Sequence, residues 1–424
     1  MEWRSGGSLT TAAPVAPQVP NTKNNRAFVL GSLSVGHGLS HMFDQGFPLL
    51  ITEIAAAMGL GTVRTATLFA VRQGGSSATS LGGGPFIDRL KSYWGIILTA
   101  CMLGHAITFA AIGGSPTFAL LVVVVFFMSM PGSLWHLPSA AAISQRFPDR
   151  RGFAISMHGF GSNLGNVSGP IIAGALLGAS FIIWRHVFFI YAGLAVFMAF
   201  FVWWSLRGLG REDDGIRVRS LGEQFVSAGA LLKNPVVMAL IFAALLRGIG
   251  LNALFNWTPF YLRETLGMST LEAGVYYALL TGMGIISAPV LGWMSDKFGR
   301  KAVLAPGFVA AALLSLAVVS VGSSLLLIPI MAGLGLFSFA LHQIIQASVL
   351  DYVGQGTEAT AIGLLFGING VIGIGSPFLA SFIIDYWGSY GTVYYYAGIL
   401  TLITAFIIFV IPLRNPNAVE RVTA

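Results

Sequence analysis

Apolar residues run through this chain in long stretches, not in the short alternating runs of a half-buried strand. Twelve stretches are long enough for a bilayer core, which needs about 20 apolar residues per helix. They cover roughly 27–52, 63–84, 92–113, 117–145, 152–179, 183–206, 236–262, 270–293, 301–322, 324–349, 359–384 and 391–413. Residues 1–26 are polar and carry Pro14, Pro17 and Pro20, which predicts a disordered tail. No short apolar core with a small-residue cleavage site follows, so no signal peptide is expected. Residues 414–424 predict a second tail. The longest polar stretch, 207–235, predicts a linker between a six-helix bundle over 27–206 and another over 236–413. The expected fold is therefore an all-α membrane protein with twelve transmembrane helices in two six-helix bundles.

The charged residues add orientation. Eighteen of the 23 Lys and Arg fall on one side of the predicted spans, near Arg26, Arg89, Arg146, Arg211, Arg300 and Arg414. Arg64, Arg185 and Arg263 fall on the other, and Arg72 and Arg247 fall inside spans. The positive-inside rule then places both termini, the linker and both tails in the cytoplasm. Composition agrees with a membrane protein, at 55% hydrophobic and only 9% charged, where soluble domains average about 25% charged. A soluble enzyme, a disordered chain and a nucleic-acid binder are excluded on that ground. The net charge of +7 is explained by the one-sided loops, not by a nucleic-acid footprint. A single cysteine, Cys101, excludes an intramolecular disulfide framework and a Cys-based metal cluster.

The two halves share sequence. Gly84-Pro85-Phe86-Ile87-Asp88-Arg89 after span 2 matches Gly292-Trp293-Met294-Ser295-Asp296-Lys297 after span 8, at an offset of 208. Ser168-Gly169-Pro170 in span 5 matches Gly375-Ser376-Pro377 in span 11, and Phe47-Pro48 matches Thr258-Pro259-Phe260. A duplicated six-helix unit makes the halves pseudo-symmetric and points to a secondary transporter, with its site between the halves near the midplane. With Gly292-x-x-x-Asp296-Lys297-Phe298-Gly299-Arg300-Lys301 in loop 8–9, the sequence resembles the major facilitator superfamily. Ser40-His41-Met42-Phe43-Asp44, Gly132-Ser133-Leu134-Trp135-His136 and Thr258-x-Phe260-Tyr261-Leu262 resemble its fosmidomycin-resistance branch of efflux carriers. That branch usually shows His-Pro-Glu in span 4, where this chain reads His136-Leu137-Pro138-Ser139. The resemblance implies the major facilitator fold and a bacterial inner-membrane location.

A charge at mid-bilayer costs about 2.5–3.5 kcal/mol even on the mild insertion scale, so ionisable residues inside spans are functional candidates. Asp44 is the one acid well inside a span. His37, His41 and Asp44 are spaced i, i+4, i+7, within about 60° of one another on a helix, and predict a proton relay. Arg72 and Arg247, one per half, could bracket an anionic substrate, because a guanidinium binds carboxylate or phosphate bidentately. Arg72 could instead neutralise Asp44, and Arg247 could brace a bend at Gly248 and Gly250. Further substrate candidates are Trp135 and His136 in span 4, Asn252, Asn256 and Trp257 in span 7, and His342, Gln343 and Gln346 in span 10. On an ideal helix Asn256 lies opposite Arg247, so an unwound segment would be needed for both to face one cavity. His105 and His158 are read as packing or hydrogen-bonding residues.

Asp88 and Arg89, with Asp296, Lys297 and Arg300, are read as gating residues, because a carboxylate at a helix end can pair with neighbouring bases and hold one side closed. Gly161, Gly165 and Gly169, spaced i+4 and followed by Pro170, predict a close-packing ridge that can bend. This segment resembles the Gly-Pro motif of drug–proton antiporters. No metal site is expected, since His37 and His41 have ligand spacing but lack a second pair, and no Walker loop is present, so no cofactor is expected either. The predicted activity is proton-coupled export of small organic molecules, anionic ones included, by alternating access. The alternatives are a proton symporter importing an organic anion, and a transporter-like ligand sensor without turnover. The expected partners are substrate, protons and the lipid bilayer, with no nucleic acid, and the expected state is a monomer.

Overall fold

The computed structural model describes residues 25–147, 149–211, 232–352 and 358–413. Nearly all of both predicted tails, and most of the linker, lie outside the described residues. The described residues form helices, with no strand among them. In chain order these are α1 (Arg26–Met58), α2 (Thr62–Arg89), α3 (Trp94–Gly114), α4 (Phe118–Arg146), α5 (Arg151–Gly178), α6 (Trp184–Leu206) and α7 (Pro235–Phe260). There follow α8 in two pieces, α8a (Thr270–Gly282) and α8b (Gly284–Phe298), then α9 (Arg300–Val321) and α10 (Leu327–Leu350). The last are α11, also in two pieces, α11a (Glu358–Gly373) and α11b (Ser376–Trp387), and α12 (Thr392–Val410).

Local chemistry explains the boundaries. Asn25, Thr117, Asn234 and Ser269 sit at N-caps, where their side-chain oxygens accept from the orphan N–H groups of the first turn. Ser269 and Glu272 form a reciprocal capping box at the start of α8a. α1 ends at Gly59, whose φ of +60° is a left-handed cap that a side chain disfavours. The two breaks were not anticipated. Gly282 and Gly284 flank the break in α8, and glycine lowers helix propensity by about 1 kcal/mol relative to alanine. In α11 the ring of Pro377 lies in the first turn of α11b, where proline starts a helix but cannot continue one.

Nine helices among the described residues are long and apolar enough to cross a membrane: α3, α4, α6 to α10, the segment Gly367–Trp387 and α12. α1, α2 and α5 fall outside that set. α1 and α2 carry the charged residues Asp44 and Arg72, and α5, which packs on α1, carries Ser162, Asn163, Asn166 and Ser168. The outer faces of α6 and α12 expose Phe197, Phe200, Phe406 and Phe409, a surface suited to lipid tails and not to water.

Helix contacts join neighbours within each half and connect the halves through α5 with α8a and α2 with α11. The glycines of α5 make both of its faces narrow. A Cβ on Gly161, Gly165 or Gly169 would overlap the carbonyls of Ser34, Gly38 and Met42 on α1. Near the other end, Gly174 meets Thr270 of α8a, and Gly274 of α8a meets Pro170. Thr270 Oγ1 donates to Gly174 O at 3.2 Å and Thr281 Oγ1 to Asn166 O at 2.8 Å. Two polar contacts also join the halves: Arg263, just after α7, donates to Glu53 in the last turns of α1 at 3.0 Å, and Thr62 at the start of α2 to Asp385 of α11b at 2.7 Å. α5 is therefore the element that holds α1, and with it the candidate site, against the second half.

Candidate functional site

Asp44 and Arg72 meet. One guanidinium nitrogen of Arg72 lies 3.1 Å from the Asp44 carboxylate and 3.2 Å from the Asp44 backbone carbonyl. The guanidinium also stands 5.2 Å from the Phe47 ring centroid, and its Nε has no partner. The two side chains keep 23% and 27% of their surface accessible, so the pair is reachable and not sealed in the core. Of the alternatives open for Arg72, the neutralising one matches this geometry. The Asp44 side chain is flanked by Gly132 of α4, at which an added Cβ would come within 3.0 Å of Oδ2.

The two histidines of the predicted relay turn away from Asp44. His37 Nδ1 lies 3.1 Å from the backbone carbonyl of His158, and His41 Nδ1 lies 2.8 Å from Asn166 Oδ1, both on α5. The relay expected from helical spacing thus has no continuous hydrogen-bonded path through these rings to Asp44. What the spacing did not reveal is a cluster. His37 and His41 stand edge to face at 4.6 Å, His136 of α4 lies 4.7 Å from His37 and 5.6 Å from His41, and His158 stacks on His37 at 4.1 Å. One ring nitrogen from each of His37, His41 and His136 lies within 4.8 Å of the other two. The sequence shows the i, i+4 pair but no second pair, which is why no metal site was expected. The third imidazole comes from another helix. His37 Nε2 and both ring nitrogens of His158 are buried without partners, each costing about 1–3 kcal/mol. His105 donates to or accepts from Ser40 at 2.9 Å and stacks on Phe109, consistent with its expected packing role.

The second half differs from the expected bracket. α7 stays helical through Gly248 and Gly250, so the unwound segment proposed from sequence does not occur there. Arg247 is buried, donates to the Ser338 carbonyl, and lies 3.5 Å from His342 Nδ1. His342 Nε2 is 2.7 Å from Gln346. The cavity beside Arg247 is about 20 Å³, room for one water and not for an organic anion. Asn256 donates to Asn252 at 2.8 Å. Gln343 is exposed.

Both candidate tryptophans are enclosed by protein in this conformation. Trp135 is fully buried against Gly36, where no Cβ would fit, and Trp257 is fully buried between Phe69 of α2 and Tyr390. They are packing residues in this conformation, because an aromatic run in a span looks the same from sequence whether it faces core or cavity. A hollow of about 810 Å³ lies between α9 and α12 among exposed Phe298, Phe406 and Phe409. It belongs to the apolar outer surface and lies away from the Asp44–Arg72 pair.

At the charged end, Arg300 joins two carboxylates. It contacts Asp296, donates through Nε to Asp351 Oδ2 at 2.9 Å and reaches Ser295 at 3.1 Å. Gly299, at φ +97°, makes the turn that allows this. Lys297 lies over the Trp293 ring at 4.8 Å. The side chains of Asp88 and Arg89 lie outside the described residues. Asp351, in the short segment after α10, was not singled out because a loop carboxylate carries no signal by itself. Replacing Arg300 with alanine should leave the half-buried Asp351 without its counterion and cost about 1–3 kcal/mol. Arg300→Lys should cost less but not restore wild type, since an ammonium cannot reach both acids in a fork. Thermal midpoints of the purified variants check the order.

The chain belongs to the Major Facilitator Superfamily, whose model matches residues 33–375 and again 283–423. Over 283 residues it is 26% identical to the uncharacterized MFS-type transporter YfnC of Bacillus subtilis, covering 65% of this chain and 66% of that one. Over 444 residues it is 22% identical to the probable galactarate/D-glucarate transporter GudP of Escherichia coli, covering 93% and 95%. Among solved structures, a bacterial homologue of the human lysosomal transporter Spinster, in an inward-facing and unoccupied conformation, superposes with a TM-score of 0.72 at 18% identity, covering 91% and 95%. The nucleoside transporter NupG superposes with a TM-score of 0.75 at 14% identity, covering 91% and 100%. At these identities the structures show the shared fold alone. The family and these relatives are transporters, not enzymes, and this chain is an integral membrane member of that family.

Proposed function

We propose that the chain is a proton-coupled secondary transporter of small organic anions, working by alternating access between two six-helix bundles with both termini cytoplasmic. The accessible Asp44–Arg72 pair carries this reading. While Asp44 is ionised it is the counterion of Arg72 and competes with any anionic ligand for it. A proton on Asp44 removes that competitor, and the guanidinium can then take a substrate carboxylate. Anion and proton therefore load together, which is the linkage of a symporter. Relatives described as carrying galactarate/D-glucarate, cis,cis-muconate or sulfoacetate are consistent with an organic-anion substrate.

The polar contacts Arg263–Glu53 and Thr62–Asp385 act in this reading as the outer gate, and the Asp296–Arg300–Asp351 cluster braces the cytoplasmic end. Arg247 would join the substrate site only in a conformation that separates it from Ser338. The runner-up is export by proton antiport, on the drug–proton antiporter branch. The glycine ridge ending at Pro170 favours it, as does 27% identity over 259 residues to the tetracenomycin C resistance and export protein of Streptomyces glaucescens. Proteoliposomes with an imposed inward proton gradient test the two. Uphill accumulation of glucarate, muconate or sulfoacetate that collapses with the gradient is the symport result. Substrate-driven loss of a proton gradient from everted vesicles, without such accumulation, would replace it with antiport.

A further inference from the structure

We infer that His37, His41 and His136 form a binding site for a divalent d-block cation of the zinc class, bridging α1 to α4. The donors are three imidazoles, a set that suits zinc, copper and nickel and not magnesium or calcium. Two of the rings are already oriented by the kind of outer contact that metal-ligating histidines use. His37 Nδ1 is placed to donate to the His158 carbonyl at 3.1 Å, and His41 Nδ1 to Asn166 Oδ1 at 2.8 Å. In those tautomers each Nε2 carries the free lone pair. His37 is 5% exposed and its Nε2 is buried without a partner, so the cluster contains a donor that nothing in the protein uses.

Three donor atoms lie within 4.8 Å of one another. Tetrahedral bonds of about 2.0–2.1 Å would bring them to roughly 3.3 Å. His136 is the exposed member, and a change of its rotamer supplies that closure while leaving the fourth position open to solvent. His158, stacked on His37 at 4.1 Å with an interplanar angle of 12°, fixes the ring from behind. Asp44 lies one turn further along α1 and is held by Arg72, so the donor set is three imidazoles and not two imidazoles with a carboxylate.

Tag-free protein in detergent, titrated with zinc chloride by calorimetry, tests the site. The expected result is one ion per chain, and binding at least tenfold weaker in His136→Ala. That variant removes the exposed ligand without disturbing the packed α1–α5 face. His186→Ala, which removes the exposed histidine at the start of α6, should leave binding unchanged. Cobalt substitution adds a readout independent of transport: intense visible d–d absorption marks a four-coordinate nitrogen site. Absence of stoichiometric zinc binding, or equal affinity in wild type and His136→Ala, would overturn the inference.

Discussion

Arg72→Gln is expected to weaken binding of the transported anion by about 10- to 150-fold, the equivalent of one charge-assisted hydrogen bond at about 1.5–3 kcal/mol. Asp44→Asn separates binding from coupling. In wild type the proton on Asp44 frees Arg72, so anion affinity should fall as pH rises, approaching tenfold per unit once Asp44 is mostly ionised. The asparagine imitates the protonated acid and should bind the anion with a flat pH profile, while losing uphill accumulation. The charged and titratable groups around this carboxylate are His41 on its own helix, Arg72 on α2 and His105 on α3. Binding of a labelled anion to purified protein between pH 5.5 and 8 reads both effects, on the order of one pH unit per step. A wild-type slope surviving in Asp44→Asn would move proton coupling to another group, with His41 the next to test.

Much of the fold was legible because apolar length is a one-dimensional signal. Hydropathy reads spans at 117–145 and 183–206, and the helices run Phe118–Arg146 and Trp184–Leu206. Site chemistry was legible only one helix at a time. The spacing of His37, His41 and Asp44 puts them on one side of α1, but a helix side is wide enough to face two neighbours. The imidazoles turn to α5 and the carboxylate to α2. Which helix stands opposite, and at what height, is fixed by packing between distant segments, and one sequence does not carry that. The same gap hid His136 as a partner of the α1 pair, Asn166 as the holder of His41, and Asp351 as the second acid on Arg300. Asn166 did have a signal, as an amide set among packing glycines where an apolar residue would cost less.

The ridge on α5 allows the sharpest contrast between neighbouring positions. Gly159 and Gly165 lie less than two turns apart on the same helix. A Cβ at Gly159 meets nothing within 4 Å, whereas at Gly165 it would overlap the Gly38 carbonyl and stand 2.8 Å from the His41 Cβ. Alanine raises helix propensity by about 1 kcal/mol over glycine, so Gly159→Ala should be neutral or stabilising. At Gly165 the gain is outweighed, because the overlapped atoms are backbone and cannot rotate away. Overpacking of this kind costs about 1–3 kcal/mol or somewhat more, and relief requires α1 to shift outward. That shift would also separate His41 from Asn166, which now meet at 2.8 Å. Gly165→Ala should therefore lower the thermal midpoint and depress transport even in the fraction that folds, with Gly161→Ala and Gly169→Ala behaving alike. Equal midpoints for Gly159→Ala and Gly165→Ala would mean that α1 and α5 are not in backbone contact, and the geometry of the site built on that contact would have to be redrawn.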